Sequence, residues 1–212
     1  MYDVYVITDE GLSNGLSHYE VARLACEGGA DAIQLRDKSM HIDEMIRVAK
    51  DIRRVTSLHD VLFIVNDRLD VAIASEADGV HLGQSDIWQM DAATDAGILV
   101  GISASTLKEA VDAERDGADH IGFGPVFRTA SKHDAPDALG LELMRTVRSR
   151  ISVPVVAIGG ITKDNAPDVI MSGADGIAVI SAVVSQPDIR AATAELKDIV
   201  SSAKVRALKD RR

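Results

Sequence analysis

Short runs of β-branched and aliphatic residues alternate along the chain with longer stretches in which apolar residues recur every three or four positions. The short runs fall at 2–8, 30–36, 61–66, 77–82, 98–103, 118–124, 153–158 and 175–181. Most are apolar throughout, as in Val61-Leu62-Phe63-Ile64-Val65. Strands that read this way are buried on both faces, as in parallel sheets. The intervening stretches read as amphipathic helices. Residues 17–28 gather Val21, Leu24 and Ala25 on one face, and residues 42–57 gather Ile42, Met45, Ile46, Ala49 and Ile52. A last helix begins near Pro187, a favoured first-turn residue. Its apolar stripe is Ile189, Ala192, Leu196, Ile199 and Ala203.

Four of the strands open on a common signature: Gly29-Ala30-Asp31, Ala77-Asp78-Gly79, Gly117-Ala118-Asp119 and Gly173-Ala174-Asp175. A glycine just before Ala-Asp fits a helix C-terminal cap; in the second copy Glu76 takes that place. These are the even-numbered strands, so the chain reads as eight βα units with a two-unit repeat. Eight units in 212 residues predict one α/β domain, a (β/α)8 TIM barrel with its active site at the C-terminal ends of the strands. An open doubly wound sheet is the alternative, but no Gly-rich dinucleotide turn follows the first strand. The barrel is expected over 1–203. Residues 204–212 form a basic tail, in which Lys204, Arg206, Lys209, Arg211 and Arg212 oppose Asp210, and it reads as a frayed, solvated helix end.

Composition narrows the function. Lys and Arg number 23 against 33 Asp and Glu, a net charge of -10. An acidic chain with 3% aromatic residues suits neither phosphate-backbone binding nor base stacking, so no nucleic-acid partner is expected. No apolar run approaches the roughly 18 residues of a membrane span, and Met1-Tyr2-Asp3-Val4 puts no basic region before an apolar one, so no signal peptide is expected. The single cysteine, Cys26, excludes an internal disulfide. A reducing cytoplasmic setting follows. Association as a homodimer stays open, since most soluble oligomers are symmetric homo-oligomers.

In a barrel, the residues just past each strand point into the site. Those positions are Gln34 to Lys38, Asn66-Asp67-Arg68, His81 to Asp86, Ser103, Gly124 to Lys132, Gly159-Gly160 and Ile180-Ser181. The set is polar and mixed in charge. Asp67 and Asp86, on adjacent strand ends, suit a Mg²⁺ ion shared with a substrate phosphate; taken alone, Asp67 also reads as a helix N-cap. Arg36, Lys38 and Lys132 suit phosphate oxygens. Gly159-Gly160, with the backbone after the eighth strand, suits a phosphate cradle. The polar stretch from Arg128 to Ala138 is a candidate lid. His81, Cys26 and Trp88 read as packing or rim residues.

In that order and placement, the motifs Gln34-Leu35-Arg36-Asp37-Lys38, Asn66-Asp67-Arg68, Gly79-Val80-His81-Leu82-Gly83-Gln84 with Asp86, Gly124-Pro125-Val126-Phe127 and Ile158-Gly159-Gly160-Ile161 resemble those of the thiamin phosphate synthase family over nearly the whole chain. The resemblance implies small-molecule substrates. It implies transfer of a 4-amino-2-methyl-5-pyrimidinylmethyl group from its diphosphate to a 4-methyl-5-hydroxyethylthiazole phosphate, giving thiamin phosphate and pyrophosphate with Mg²⁺ as cofactor. It also implies roles. The run from Gln34 through Leu35, Arg36 and Asp37 to Lys38, with Asn66, would hold the pyrimidine diphosphate, and Asp67 and Asp86 the Mg²⁺. Ser103 would contact the pyrimidine. Lys132 would meet the diphosphate, and the loop of Thr129, Ala130 and Ser131 the thiazole phosphate, which Gly160, Ile180 and Ser181 would cradle. Lys132, Arg36, Lys38 and Ser103 would be the catalytic set.

Two positions depart from the family pattern. Ser131 stands for a threonine and keeps its hydroxyl. Ser105 stands where a histidine is common. A related thiazole tautomerase is thought to use that histidine as acid or base, so an isomerase and a phosphate-binding barrel without turnover are the alternatives. Ser105 is expected to cap the helix after the fifth strand.

Overall fold

A computed structural model describes residues 2–129 and 137–210. Its elements run, in chain order, β1 Val4–Ile7, α1 His18–Glu27, β2 Ala32–Leu35, α2 Ile42–Leu58, β3 Leu62–Asn66, α3 Leu69–Ala74, β4 Gly79–Leu82, α4 Met90–Asp95, β5 Leu99–Ala104, α5 Leu107–Arg115, β6 His120–Phe123, α6 Gly140–Arg148, β7 Val155–Ile158, α7 Ala166–Met171, β8 Gly176–Val179, α8 Ser181–Val184 and α9 Ile189–Asp210. The strands are all parallel and close in sequence order, β1 against β8, into the expected barrel. Each of the eight predicted runs overlaps one of them, β5 extending one residue past its run.

The period of two along the strands sorts side chains between two cores. Val4, Val6, Ile33, Leu35, Phe63 and Val65 face the helices. Tyr5, Ile7, Ala32, Ile64, Val156 and Ala178 fill the barrel interior. Imidazoles complete that interior. A Cβ on Gly101 would stand 2.3 Å from the His120 ring and 2.5 Å from His81 Nδ1, and one on Gly122 would stand 2.8 Å from His81 Cε1. Glycine on β5 and β6 therefore makes the room that His81 and His120 occupy.

The two-unit repeat has a physical basis at the bottom of the barrel. Asp31, Asp78, Asp119 and Asp175 each stand immediately before an even-numbered strand. Each carboxylate accepts the N–H of a residue on the preceding odd strand: Val4, Phe63, Val100 and Val155, at 2.7–2.9 Å. Each aspartate's own N–H donates back to the carbonyl of that same residue. Four clamps thus join β1 to β2, β3 to β4, β5 to β6 and β7 to β8. The position two residues before each aspartate takes left-handed backbone, with φ of +87° at Gly29, +104° at Gly117 and +106° at Gly173. Glu76 holds the same conformation, at +56°, despite its side chain.

α9 continues to Asp210, so the boundary drawn at 203 falls inside a helix. Lys204, assigned to the tail, is an anchor: its ammonium pairs with Asp3 and donates to the Asp175 carbonyl. The buried stripe of α9 is Ile189, Thr193, Leu196, Val200 and Ala203, rotated by one position from the expected face at two places. Among the described residues no helix is long and apolar enough to cross a membrane.

Candidate active site

The strand ends surround a cavity of about 450 Å³. Arg36 and Lys38 reach it from β2, Asn66 and Asp67 from β3, Asp86 from the turn after β4, and Ser103 from β5. Thr129, Gly160, Ile180 and Ser181 close the far side. Gln34 forms part of the floor, where its Nε2 donates to Tyr5 Oη at 2.8 Å.

Asp67 is not a helix cap. The N-cap position of α3 belongs to Arg68, and the Asp67 carboxylate accepts instead from the Gly83 N–H at 3.4 Å. Its backbone is left-handed, with φ of +60°, a conformation that aspartate tolerates better than most residues. That turn aims its side chain across the strand end. A Cβ on Gly83 would stand 3.8 Å from Asp67 Oδ1 and 3.5 Å from Asp86 Oδ2, so both carboxylates overhang one glycine. The Ser85 hydroxyl donates to Asp86 Oδ2 at 2.8 Å. No group of three or more His, Cys, Asp or Glu able to hold a metal occurs among the described residues. Two carboxylates without a protein cage form the donor set suited to Mg²⁺ that takes its other ligands from substrate phosphate and water.

Across the cavity, Arg36 lies 3.8 Å from Asp9, with both side chains about one-fifth exposed. Lys38 has no ion-pair partner among the described residues. Backbone makes the remaining wall. A Cβ on Gly160 would stand 2.4 Å from the Arg128 carbonyl oxygen, and one on Gly159 would stand 2.4 Å from Pro125 Cβ. Both glycines also have positive φ. The Gly-Gly turn therefore packs flush against the segment after β6, with its backbone bare toward the cavity.

Two members of the expected set stand apart. Successive strand residues point to opposite faces, so with Gln34 turned inward the Leu35 side chain is 1% exposed in the helix-facing core. Asp37 turns away from the cavity between Arg36 and Lys38. Its Oδ1 accepts from the Ser39 and Met40 N–H groups and the Ser39 hydroxyl at 2.7–2.9 Å. Ala130, Ser131 and Lys132, with most of the candidate lid, lie outside the described residues.

Other residues at the site were not foreseen. His81 Nε2 lies 2.9 Å from Ser103 Oγ, so His81 supports the site as well as filling the barrel. His120 packs beside it, with ring centroids 5.5 Å apart. Burial brings the His81 pKa down to about 4. Burial and then the neighbouring His81 bring His120 down to about 3. Both rings are neutral at pH 7. Burial also pushes the Tyr5 phenol up, against the Gln34 hydrogen bond. The Gln84 amide donates to the Ser103 carbonyl at 2.6 Å.

Ser105 does not cap α5; Thr106 does, in a capping box with Glu109. Ser105 precedes it and donates through N–H and hydroxyl to Glu109 Oε2, at 2.7 and 3.0 Å. The pattern Thr-x-x-Glu was legible as a capping box. Serine does not exchange a proton near neutral pH as histidine does, so the residue on which the isomerase alternative rests is absent here.

The family described as thiamine monophosphate synthase matches residues 4–183. The chain belongs to that family. A thiamine-phosphate synthase of Methanocella arvoryzae is 58% identical over 94% of this chain and 95% of its own. Another, from Chloroflexus aurantiacus, is 48% identical over 97% and 95%. Among solved structures, a thiamine phosphate pyrophosphorylase from Pyrococcus furiosus superposes with a TM-score of 0.88 at 46% identity, covering 95% of this chain and 96% of that one. The matched residues span all eight strands, with the cavity at the end where barrels keep their chemistry.

Proposed function

We infer that the cavity at the strand ends carries out the thiamine-phosphate synthase reaction, a transferase step. It joins 4-amino-2-methyl-5-pyrimidinylmethyl diphosphate to 4-methyl-5-hydroxyethylthiazole phosphate with release of pyrophosphate. The observation that carries this assignment is the convergence of two carboxylates and two cations on one cavity, Asp67 and Asp86 facing Arg36 and Lys38.

The bond that breaks leaves negative charge on pyrophosphate, so fixed positive charge there lowers the barrier most. Arg36 presents a planar fork to two phosphate oxygens, Lys38 a point charge, and Asn66 an amide donor. Asp67 and Asp86 would hold Mg²⁺, which when bound supplies Lewis-acid stabilisation to the leaving group. Lys132, on the loop after β6, would add a further cation. Ser103 contacts the pyrimidine, oriented by His81. Both histidines are neutral, so the floor places no cation beneath a pyrimidinylmethyl group that gains positive charge as its bond to oxygen lengthens. Thr129, Gly160, Ile180 and Ser181 receive the thiazole phosphate, partly through backbone N–H groups. The new bond forms from the thiazole nitrogen, so no protein nucleophile is required.

Pyrophosphate release followed with both substrates, each alone, and both with excess chelator tests this assignment. Release is expected only with both substrates and free Mg²⁺. Equal turnover in chelator would remove Asp67 and Asp86 from a metal role.

A further inference from the structure

We propose that His18 is a positioning residue for the transfer reaction, holding through Asp37 the loop that presents Arg36 and Lys38. The inference rests on the diphosphate-binding role given to those two cations.

His18 is the first residue of α1, outside the cavity, and is 1% exposed. A buried imidazole needs partners for both nitrogens. Here Nε2 lies 3.2 Å from Asp37 Oδ2 and Nδ1 lies 2.7 Å from Thr8 Oγ1. An ionised carboxylate only accepts, so Nε2–H donates to it, and Nδ1 shares its hydrogen bond with the Thr8 hydroxyl, which can donate or accept. The ring thus satisfies both contacts. Its backbone is fixed too: the His18 N–H donates to Glu10 Oε1 at 3.0 Å.

The Asp37 carboxylate divides its two oxygens. Oδ1 closes the loop on itself through Ser39 and Met40, and Oδ2 ties the closed loop to His18. Burial pushes the Asp37 carboxyl up, but the Ser39 and Met40 N–H groups and the His18 ring outweigh it and hold the pKa down at about 2. The loop turns about this buried tether. Residue 37 points down to His18, and its two neighbours, 36 and 38, face the cavity. Thr8 follows β1, and its N–H donates to the Gln34 carbonyl on β2. The chain Thr8–His18–Asp37 therefore references the two cations to the β1–β2 seam. Arg36 has a second reference at that seam, the contact with Asp9; Lys38 has none among the described residues. Loss of the tether shifts the cations together, and small misplacements of charged groups are costly.

His18→Ala is expected to raise KM for the pyrimidine diphosphate by about tenfold or more and to weaken inorganic pyrophosphate binding in Mg²⁺ in parallel. KM for the thiazole phosphate should stay within about twofold, because its cradle lies across the barrel. His18→Gln, whose amide can still reach Asp37 as a donor, should recover most of the loss. Asp37→Asn, which keeps His18 but removes the acceptor for Nε2–H, should reproduce it and keeps the test open if His18→Ala folds poorly. A folded His18→Ala or Asp37→Asn with unchanged pyrophosphate affinity would overturn the proposal, as would equal changes in both KM values. Arg36→Ala and Lys38→Ala separate the two levels. If they leave pyrophosphate affinity intact, the role given to the cations fails; if they lose it while the His18 variants keep it, only the tether fails.

Discussion

At the amino-terminal end of the barrel, aspartates meet partners on every side. Asp31 accepts from the Val4 N–H and pairs with Lys197; Asp78 accepts from Phe63 and pairs with Arg53; Asp175 accepts from Val155 and pairs with Arg148. At the carboxyl end, Asp67 and Asp86 face Arg36 and Lys38 across open space, and neither carboxylate pairs with a cation among the described residues. The same residue types serve opposite purposes. Paired, they fix strand register; held by the Gly83 N–H and the Ser85 hydroxyl instead of a cation, they stay available to a charged ligand. Left-handed backbone at a residue with a side chain occurs at both ends, at Glu76 below and Asp67 above, but it serves different purposes. Asp67, a single-residue left-handed turn, sits where a side chain must be aimed at the site.

The largest effects should come from carboxylates at the open end. Asp67→Asn and Asp86→Asn should each lower kcat/KM by about 10²–10³, the scale of losing one group that supports developing charge. Their melting temperatures should stay close to the parent's, because asparagine preserves shape and tolerates left-handed backbone. Paired measurements of kcat/KM and thermal unfolding check this. Wild-type turnover with a lowered melting temperature would make these carboxylates structural, like those below.

Acid separates the regions next. His81 and His120 are neutral in the fold, with pKa values brought from 6.5 to about 4 and about 3. Below pH 6.5 the unfolded chain takes up protons that the folded chain refuses, so the stability that these rings contribute above that pH is lost as pH falls toward 3. Carboxylates respond later. Burial raises the Asp3 pKa, but Lys204 and Lys197 bring it below 3.8 overall, and Asp37 is held at about 2. Their contribution is lost only as pH falls below the ordinary carboxylate value. Denaturant unfolding from pH 7 to 3 should therefore show a decline beginning near pH 6, flattened in His120→Asn. A flat profile down to pH 4.5 would mean that the rings are hydrated enough to charge in place.

Within the lower end, Asp78→Ala should destabilise by about 1–3 kcal/mol, because the Phe63 N–H loses its acceptor inside the sheet. Catalytic constants of the folded fraction should match the parent's. Asp78→Asn keeps an acceptor oxygen and should cost less. If the two variants lose equally, the Arg53 ion pair and not the N–H clamp carries the effect.

How far the sequence disclosed this depended on whether the signal was periodic. Buried parallel strands leave uninterrupted apolar runs, so all eight were legible, and the repeated Asp marked the clamps before their partners were known. Strand-end positions were legible too, because barrel topology fixes which residues reach the mouth; Asp67, Asp86, Arg36, Lys38 and Ser103 all line one cavity. What escaped depended on contacts between distant segments. Leu35 and Asp37 belonged to a motif as strings of letters, but alternation turned one into the core and hydrogen bonding turned the other under its loop. Nothing along the sequence marked His120, because Gly101, whose missing side chain admits its ring, lies on the neighbouring strand. The end of α9 looked solvated because Lys204 finds Asp3 some two hundred residues away.

The smallest expected effect belongs to the one clamp whose approach departs from the others. Gly29, Gly117 and Gly173 hold left-handed backbone without a Cβ, whereas Glu76 holds it with one. An L-residue costs about 1–2 kcal/mol in that region. Glycine gives back part of the relief by widening the unfolded ensemble, a counter-effect of about 0.4–1 kcal/mol. Glu76→Gly should therefore stabilise by a fraction of a kcal/mol, and Gly29→Ala should destabilise by a similar amount. Nothing lies within 4 Å of a Cβ at Gly29, so that substitution isolates backbone conformation from packing. Urea midpoints of the two variants against the parent provide the measurement, with kcat unchanged in both. Shifts of the same sign would show that the Glu76 carboxylate contributes more at this corner than its backbone geometry costs.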